Sequence, residues 1–435
     1  VSLQKLLKRQ KHQVFRRIYI KRRETDGDFE VSWYQMPADD IMKYGTISFA
    51  INDALLNFQD TSGINFKMSN INGKYYDITQ NQSIFYDKFA IKNSLVKVEA
   101  GYTDDDGTEF PTNSALFVGL ISGFEYSDDM TASFNCKQLS NIFEEFRADR
   151  IAGLGTTQTA SEIMETIRDY QDTNLVYYFQ KYISTTVWNI ETTTTYYNMA
   201  TSTTLNSRTV WQLMQDLAVA ENFYIDVGND QSFTFAARAD ISTTADFKFS
   251  GVGDNYLTWG FNIIGNLKAG FNYSKVYNRI NVKHDVADTT TSYYFKNEAM
   301  VWGESSSSFK YGTKEFKYEN EFLNASTAAV IVDNIYDEYV DPKEEVTFIA
   351  KFVPQLTSND RVAVTCKPFA DAAGAQWDLF LWDQVVGLEY QKPYFPAVWA
   401  TQRGYSVDIE EHDYRLISLE HSIDEFTTGV ILRDL

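Results

Sequence analysis

The sequence predicts a mainly β protein with an α+β insert, built as two β-barrel-like domains with the insert between them. Three observations carry this. Residues 94–139 hold three strand signals in succession. The chain has 28 Tyr and 31 Phe beside many Thr and Val, residue types that favour sheet over helix. Residues 139–250 then run helix, strand, helix and hairpin, the pattern of a compact α+β module. At 435 residues the chain is too long for one ordinary core and fits roughly three domains. We place them at 1–138, 139–250 and 251–435.

In the first domain, residues 14–36 read as a hairpin, with Thr25-Asp26-Gly27-Asp28 at the turn and Phe29, Val31 and Trp33 alternating after it. A strand at Thr46–Ile51 follows. In 94–139, Val96, Val98, Ala100 and Tyr102 share one face while Lys97 and Glu99 take the other. Ala115–Phe124 is nearly all apolar and is expected to be covered on both faces. Its Gly119 and Gly123 mark a bend or bulge. The third strand places Met130, Ala132, Phe134 and Cys136 inward and Thr131, Ser133, Asn135 and Lys137 outward. Asp104–Gly107 and Ser127–Asp129 supply the turns.

The insert opens with Leu139, Ile142, Phe143 and Phe146 at helical spacing. A second helix is capped by Thr159 with Glu162 three residues on and carries Ile163, Ile167 and Tyr170. Residues 175–205 read as one or two strands. A third helix from about Ser207 carries Val210, Leu213, Met214 and Leu217, and a hairpin spans 223–239. In the last domain, 277–284 and 291–296 form a hairpin and 305–308 a loop. The helix 325–340 carries Ala328, Ile331, Ile335 and Tyr339 and stops at Asp341-Pro342. Strands follow at 346–352, 361–365, 379–382, 405–409 and 414–423. No exact internal repeat is visible.

Formal net charge is −20, which argues against a nucleic-acid-binding surface spread over the protein. It suits a surface that nucleic acid must pass without sticking, and equally the solubility of an aromatic-rich chain. Residues 1–23 depart from this, with nine Lys or Arg and no acid. A basic arm could bind nucleic acid or a membrane surface; given the acidity of the remainder, we read it as an arm that docks on an acidic neighbouring subunit. Cys136 and Cys366 sit in strand patterns as small core residues, not as a disulfide framework. No run of 18 apolar residues exists, so no membrane span is expected, and no signal peptide is visible.

No residue set is singled out as catalytic, cofactor-binding or metal-binding, and no cofactor is expected. His12, His284, His412 and His421 include no pair at metal-ligand spacing. His412 falls in 409–413, read as a solvated hairpin turn, and His421 near a strand end in a structural place. Asp104-Asp105-Asp106-Gly107 looks like part of a calcium loop, but the first ligand position would be Tyr102, so it reads as a turn. Gly251-Val252-Gly253 lacks the strand–helix context of a nucleotide site. Trp33, Trp188, Trp377, Trp382 and Trp399 offer sugar-stacking surfaces, although in β-rich domains most Trp are core.

Several segments in order give the chain a resemblance to the tail hub, or baseplate hub, proteins of tailed bacteriophages, whose fold is shared with the type VI secretion spike. They are SLVKVEAGY followed by ALFVGLISGFEYSDD, and TLNSRTVWQLMQDLAVAENFYIDVGNDQSFTF. The helix and strand of 326–352 and the Asp360–Val364 "D-R-V-x-V" strand come next, and Tyr405–Ile423 last. One departure is Asn359, where the family has glycine. The resemblance implies a homotrimer whose paired barrels form a pseudo-sixfold ring at the virion tail tip, made in the host cytoplasm. Its implied partners are a distal tail or tail tube ring protein, a spike or fibre, and the tape measure protein. DNA passes the lumen without specific binding. The function implied is a non-enzymatic symmetry adaptor lining the ejection channel. Two alternatives stand beside it. One is a carbohydrate-binding or glycan-cleaving β-rich tail protein, and the other is a tail tube or distal tail subunit with one barrel.

Overall fold

The computed structural model describes residues 13–51, 59–61, 63–111, 115–154, 156–172, 177–183, 185–199, 205, 208–237, 244–250, 261–284, 292–297, 307–357, 360–366 and 409–435. Two curled eight-stranded sheets dominate them. The first runs, edge to edge, 34–35, 13–21, 95–103, 117–126, 131–138, 64–69 and 41–43, with 109–110 paired onto 95–103. The second contains a closed cycle of six strands: 361–366, 247–250, 261–271, 344–351, 427–434 and 409–422, which pairs back onto 361–366. Closure removes two sheet edges that would otherwise be open to pairing.

The 94–139 meander forms as expected, with strands Leu95–Thr103, Phe117–Tyr126 and Thr131–Gln138. Val96, Val98, Ala100 and Tyr102 are buried together. Glu99 on the other face is also buried, and its carboxylate meets Lys97 at 2.7 Å and Arg17 at 3.8 Å. Gly123 pairs with Asn135 and Ile121 with Cys136, so Ser122 is the extra residue of a bulge. Gly119 is required by close approach: a Cβ there would stand 2.2 Å from the Lys137 carbonyl oxygen. Met130 is a correction. It lies in the turn at φ +59° with its side chain exposed, and Thr131 behind it is buried.

Strand Thr46–Ile51 also forms, but its partner is not in the first sheet. Residues 46–50 pair with 418–422 of the second sheet, and Phe49–Ile51 pairs with Gln59–Thr61. The edge of 409–422 is thus shared: 409–415 takes 361–366 and 418–422 takes 46–50. The 14–36 hairpin is reduced. Gln13–Lys21 pairs along its whole length with 95–103, and only Tyr34–Gln35 returns to it, at Tyr19 and Ile20. Val31 is fully exposed.

A second hydrophobic core joins the insert to part of the C-terminal region. Helices Ala160–Arg168 and Val210–Glu221 begin with capping boxes, Thr159 with Glu162 and Thr209 with Gln212. The helix expected from Leu139 is one turn, Asn141–Glu144. Helix Ala325–Tyr339 buries Ala328, Ile331, Val332, Ile335 and Tyr339 in this same core, beside a three-stranded sheet of 292–297, 279–284 and 315–319. Strand 279–284 and this helix therefore share a core with the insert and are not members of the closed strand cycle. Of the expected loop 305–308, Ser307 and Ser308 instead open the helix Ser307–Tyr311, and 305 and 306 lie outside the described residues. Arg433, 2% exposed, ties helix 325–339 to the strand cycle through Glu338, the Tyr339 hydroxyl at 3.1 Å and Glu345 at 3.0 Å. The expected strand 379–382 and residues 405–408 of the expected strand 405–409 lie outside the described residues, and Ile409 begins strand Ile409–Ser422.

The bulge geometry gives a test. Gly119→Ala pushes a methyl into the Lys137 carbonyl and the Phe117 ring. It is expected to lower the unfolding free energy by about 2–3 kcal/mol. Gly107→Ala meets no atom within 4 Å but has φ +80°, and should cost roughly 1 kcal/mol. Urea denaturation of both variants measures the difference, and equal costs would contradict the close-approach argument.

Candidate functional site

The two sheets meet at a seam built from both ends of the chain. Tyr102, on strand 95–103, donates its hydroxyl to the Phe352 carbonyl oxygen at 3.0 Å. Its ring stands edge-on to Phe426 at 5.0 Å, and Phe352 stacks on Phe426 at 4.4 Å. Arg16 reaches over the same Phe426 ring and over Tyr44. The Asp424 carboxylate accepts the backbone N–H groups of Tyr44 at 2.9 Å and Gly45 at 3.0 Å. This holds the chain where it leaves the first sheet and enters the second. Gly45 has φ +85°, and a Cβ would stand 2.3 Å from the Asn65 carbonyl oxygen. Residues 18–136 and 249–432 contribute to one continuous apolar cluster across the seam.

A cavity of about 740 Å³ opens where the first sheet, the insert and the second sheet converge. Trp33, Lys97 and Val118 line it from the first sheet and its loops, Asp226 and Asp230 from the insert hairpin, and Phe49, Leu356 and His421 from the second sheet. Lys97 is not a free cation. Its ammonium meets Glu99 and lies over the rings of Tyr19 and Trp33. His421 is fully enclosed, with Nδ1 3.0 Å from Thr428 Oγ1, and burial drives its pKa down to about 3. Burial pushes the Asp226 carboxyl up to about 7, with the Val227 amide offsetting part of the effect and Asp230 adding to it. Asp226 Oδ1 is closed off from solvent without a hydrogen-bond partner.

The chain's other candidates separate in space. Asp104 accepts the backbone N–H groups of Asp106 at 3.0 Å and Thr108 at 2.8 Å, so its carboxylate organises the turn. His412 is a correction: it sits in strand 409–422 opposite Val364, with Nε2 2.7 Å from Asp434. Trp188 is buried and donates its indole N–H to the Ile183 carbonyl oxygen. The Trp33 face carries Lys97. Cys136 is a buried free thiol whose pKa burial raises. His12, Gly251-Val252-Gly253, Trp377, Trp382 and Trp399 lie outside the described residues. Among the described residues no group of three or more His, Cys, Asp or Glu could hold a metal ion. No helix among them is long and apolar enough to cross a membrane. The cavity was not foreseen, because its walls come from segments hundreds of residues apart.

No family model matches the chain and no curated protein matches its sequence. Solved structures do match. A tail protein from Neisseria meningitidis MC58 superposes with a TM-score of 0.50 at 10% identity, covering 96% of each chain. The chain has a tail-protein fold. A 43 kDa tail protein of prophage MuSo2 from Shewanella oneidensis has a TM-score of 0.47 at 11% identity, covering 96% of this chain and 98% of that one. The prophage tail protein gp18 from Listeria monocytogenes EGD-e gives 0.46 at 10%, covering 96% and 94%.

Within this tail-protein fold the resemblance motifs take definite places. SLVKVEAGY and the following glycine-bent strand are adjacent in the first sheet. The "D-R-V-x-V" segment is strand 361–366 of the closed cycle. Ahead of it, the Asp360 carboxylate accepts Thr357 N–H at 2.7 Å and Thr357 Oγ1 at 2.9 Å, which holds the turn. Asn359 itself lies outside the described residues.

The enclosed histidine sets a pH dependence. The folded pKa of His421, about 3, lies below the ordinary value of roughly 6.5. Its neutral burial therefore leaves stability whole above pH 6.5 and removes it as pH falls toward 3, by about 1.4 kcal/mol per unit. Burial raises Asp216 and Asp360 to about 6 and Asp226 to about 7, which acts with the opposite sign as pH rises through that range. Comparing the parent with His421→Gln isolates the histidine. The difference in their urea unfolding free energies should change with pH between 4 and 6 and be flat above 7. A pH-independent difference would contradict the burial argument.

Proposed function

We propose that this protein is a structural component of a phage tail tip, a hub that adapts a sixfold tail tube or distal tail ring to a threefold spike or fibre. The observation that carries the reading is the pairing of two curled sheets in one chain through a shared seam. Three copies would present six sheets, so a trimer can match a hexameric ring. The tail-protein fold supports the same reading, as does the order of the hub-like motifs. One-sheet tube or distal tail subunits have no need of a second sheet locked to the first.

The rest of the reading follows from charge and symmetry. A chain of net charge −20 lining a lumen repels the DNA backbone and lets it slide. A closed ring is the expected form of a homo-oligomer whose contacts run head to tail. The partners proposed are the tail ring on one side, the spike or fibre on the other, and the tape measure protein in the channel. We propose a non-enzymatic role at the virion tail tip, with synthesis in the host cytoplasm. The three-part division at 138/139 and 250/251 is kept as a proposal for sequence units, not for sheets.

Sedimentation equilibrium of the purified chain, alone and mixed with the tail ring protein, checks the assembly. The expected result is a species of three chain masses in at least one of the two. A single-chain mass in both, at all concentrations, would overturn the hub reading.

A further inference from the structure

In a chain of net charge −20, one described surface has the opposite sign. Residues 261–275 and 307–314 carry Lys268, Lys275, Lys310 and Lys314 and no acid. The same two segments hold Phe271, Tyr273 and Phe309 more than half exposed. We propose that this surface of one copy binds the tip 125–130 of a second copy, head to tail. The contact gives the ring of the hub reading a named interface, and it rests on that reading only for the number of copies.

The aromatic surface is held in place by its own turns. The rings of Phe271 and Tyr273 lie 6.5 Å apart, and those of Tyr273 and Tyr311 5.7 Å. Asn272 accepts the Ser274 N–H at 3.2 Å and donates to Glu345 at 3.1 Å. Asn278, buried, donates to the Gly312 carbonyl oxygen at 2.8 Å and accepts the Lys314 N–H at 3.0 Å. Lys314 Nζ in turn donates to the Tyr273 carbonyl oxygen. Ordered turns thus present these rings to solvent, and an exposed apolar patch of this kind marks a contact surface. Lys268 and Lys310 stand in the same segments, exposed and with no ion-pair partner among the described residues.

An aromatic centre with a lysine rim fits a partner with an apolar centre and an acidic rim. The chain itself displays one. The tip Glu125-Tyr126-Ser127-Asp128-Asp129-Met130 joins strands 117–126 and 131–138 and holds three acids and no base. Tyr126 and Met130 are exposed, as is Ile71, whose loop adjoins the tip where Asn70 N–H donates to the Met130 carbonyl oxygen at 2.6 Å. Asp129 is engaged by Ser127, Thr131 and Lys67. That fixes the turn and leaves Glu125 and Asp128, both exposed, to meet the lysines.

The net charge of each copy is screened beyond about 8 Å at physiological ionic strength, so local signs decide the contact. The two surfaces differ, so every copy offers one of each, and contacts of this kind build rings when the rotation closes. Successive bases are served less well, because the rings tilt by 40° and 42° to one another instead of forming a flat stacking platform.

Sedimentation velocity of the full chain over a wide concentration range tests the contact. Lys268→Glu with Lys310→Glu, and separately Glu125→Lys with Asp128→Lys, are each expected to weaken self-association about 10-fold. Combining all four reversals in one chain should restore it, because the signs again oppose. These four side chains are exposed and make no hydrogen bond or ion pair among the described residues, so the fold is kept, which circular dichroism verifies. A parent that stays single-chain at every concentration, reversals without effect, or a combined variant no better than either pair would each overturn the proposal. If the lysine variant keeps self-association and instead loses binding to a mixed-sequence single-stranded oligonucleotide, the surface belongs to nucleic acid and the proposal falls. A three-chain species indifferent to the reversals would overturn this contact and leave the hub reading standing. Reversal-sensitive association that never reaches three chains would support the contact and count against the hub.

Discussion

The strand Thr46–Ile51 is the constraint on which the rest depends. It leaves the first sheet at Tyr44–Gly45, a turn clamped by the carboxylate of Asp424, and hydrogen-bonds to residues 418–422. One sheet thereby borrows a strand from the part of the chain that builds the other. Ile47 and Phe49 belong to the apolar cluster that residues of both sheets share. Tyr102 fixes the same seam from the opposite direction, through one hydrogen bond to Phe352 and an edge contact to Phe426. Each such contact is modest alone, about 1 kcal/mol for a hydrogen bond. Their shared location gives the two sheets one geometry.

This interlock has a kinetic consequence. Pairing residues about 370 apart in sequence requires loop closure before the contacts compensate for it, so assembly of the seam belongs late in folding. It also explains why polar groups at the seam are so fully paired. The Asp424 carboxylate, the Tyr102 hydroxyl and the two amides of the Tyr44 turn all find partners there. Arg433 repeats the principle on the far side of the strand cycle, where burial acts to raise Glu345 but Asn272, Lys275 and the arginine together hold it below the ordinary carboxylate range. Removing one member would leave the others buried and unmatched.

Much of the fold was legible in local pattern. The alternation of Val96, Val98, Ala100 and Tyr102, the glycines of 117–126 and the Thr159–Glu162 capping box each encode their own conformation, and each formed as read. What was not legible is which strand pairs with which. Thr46–Ile51 alternates cleanly, but nothing local says that its partner is 418–422. Glu315–Glu319 pairs in parallel with 279–284, an arrangement with no hairpin turn to announce it. His412 looked like a turn because acids flank it, yet pairing with Val364 makes it a strand. The cavity escaped for the same reason: Trp33, Asp226, Leu356 and His421 share no motif, only a place.

Under the proposed hub reading, a two-sheet subunit locked at its seam would present two sheets in a constant relation, so that three copies resemble six. The most direct measurement is the symmetry of the averaged tail-tip density in electron micrographs of the virion that carries this chain. The account predicts three copies in a ring, each contributing both sheets, between a sixfold ring above and a threefold element below. A ring of six copies at that level, or a tail tip without this chain, would contradict it.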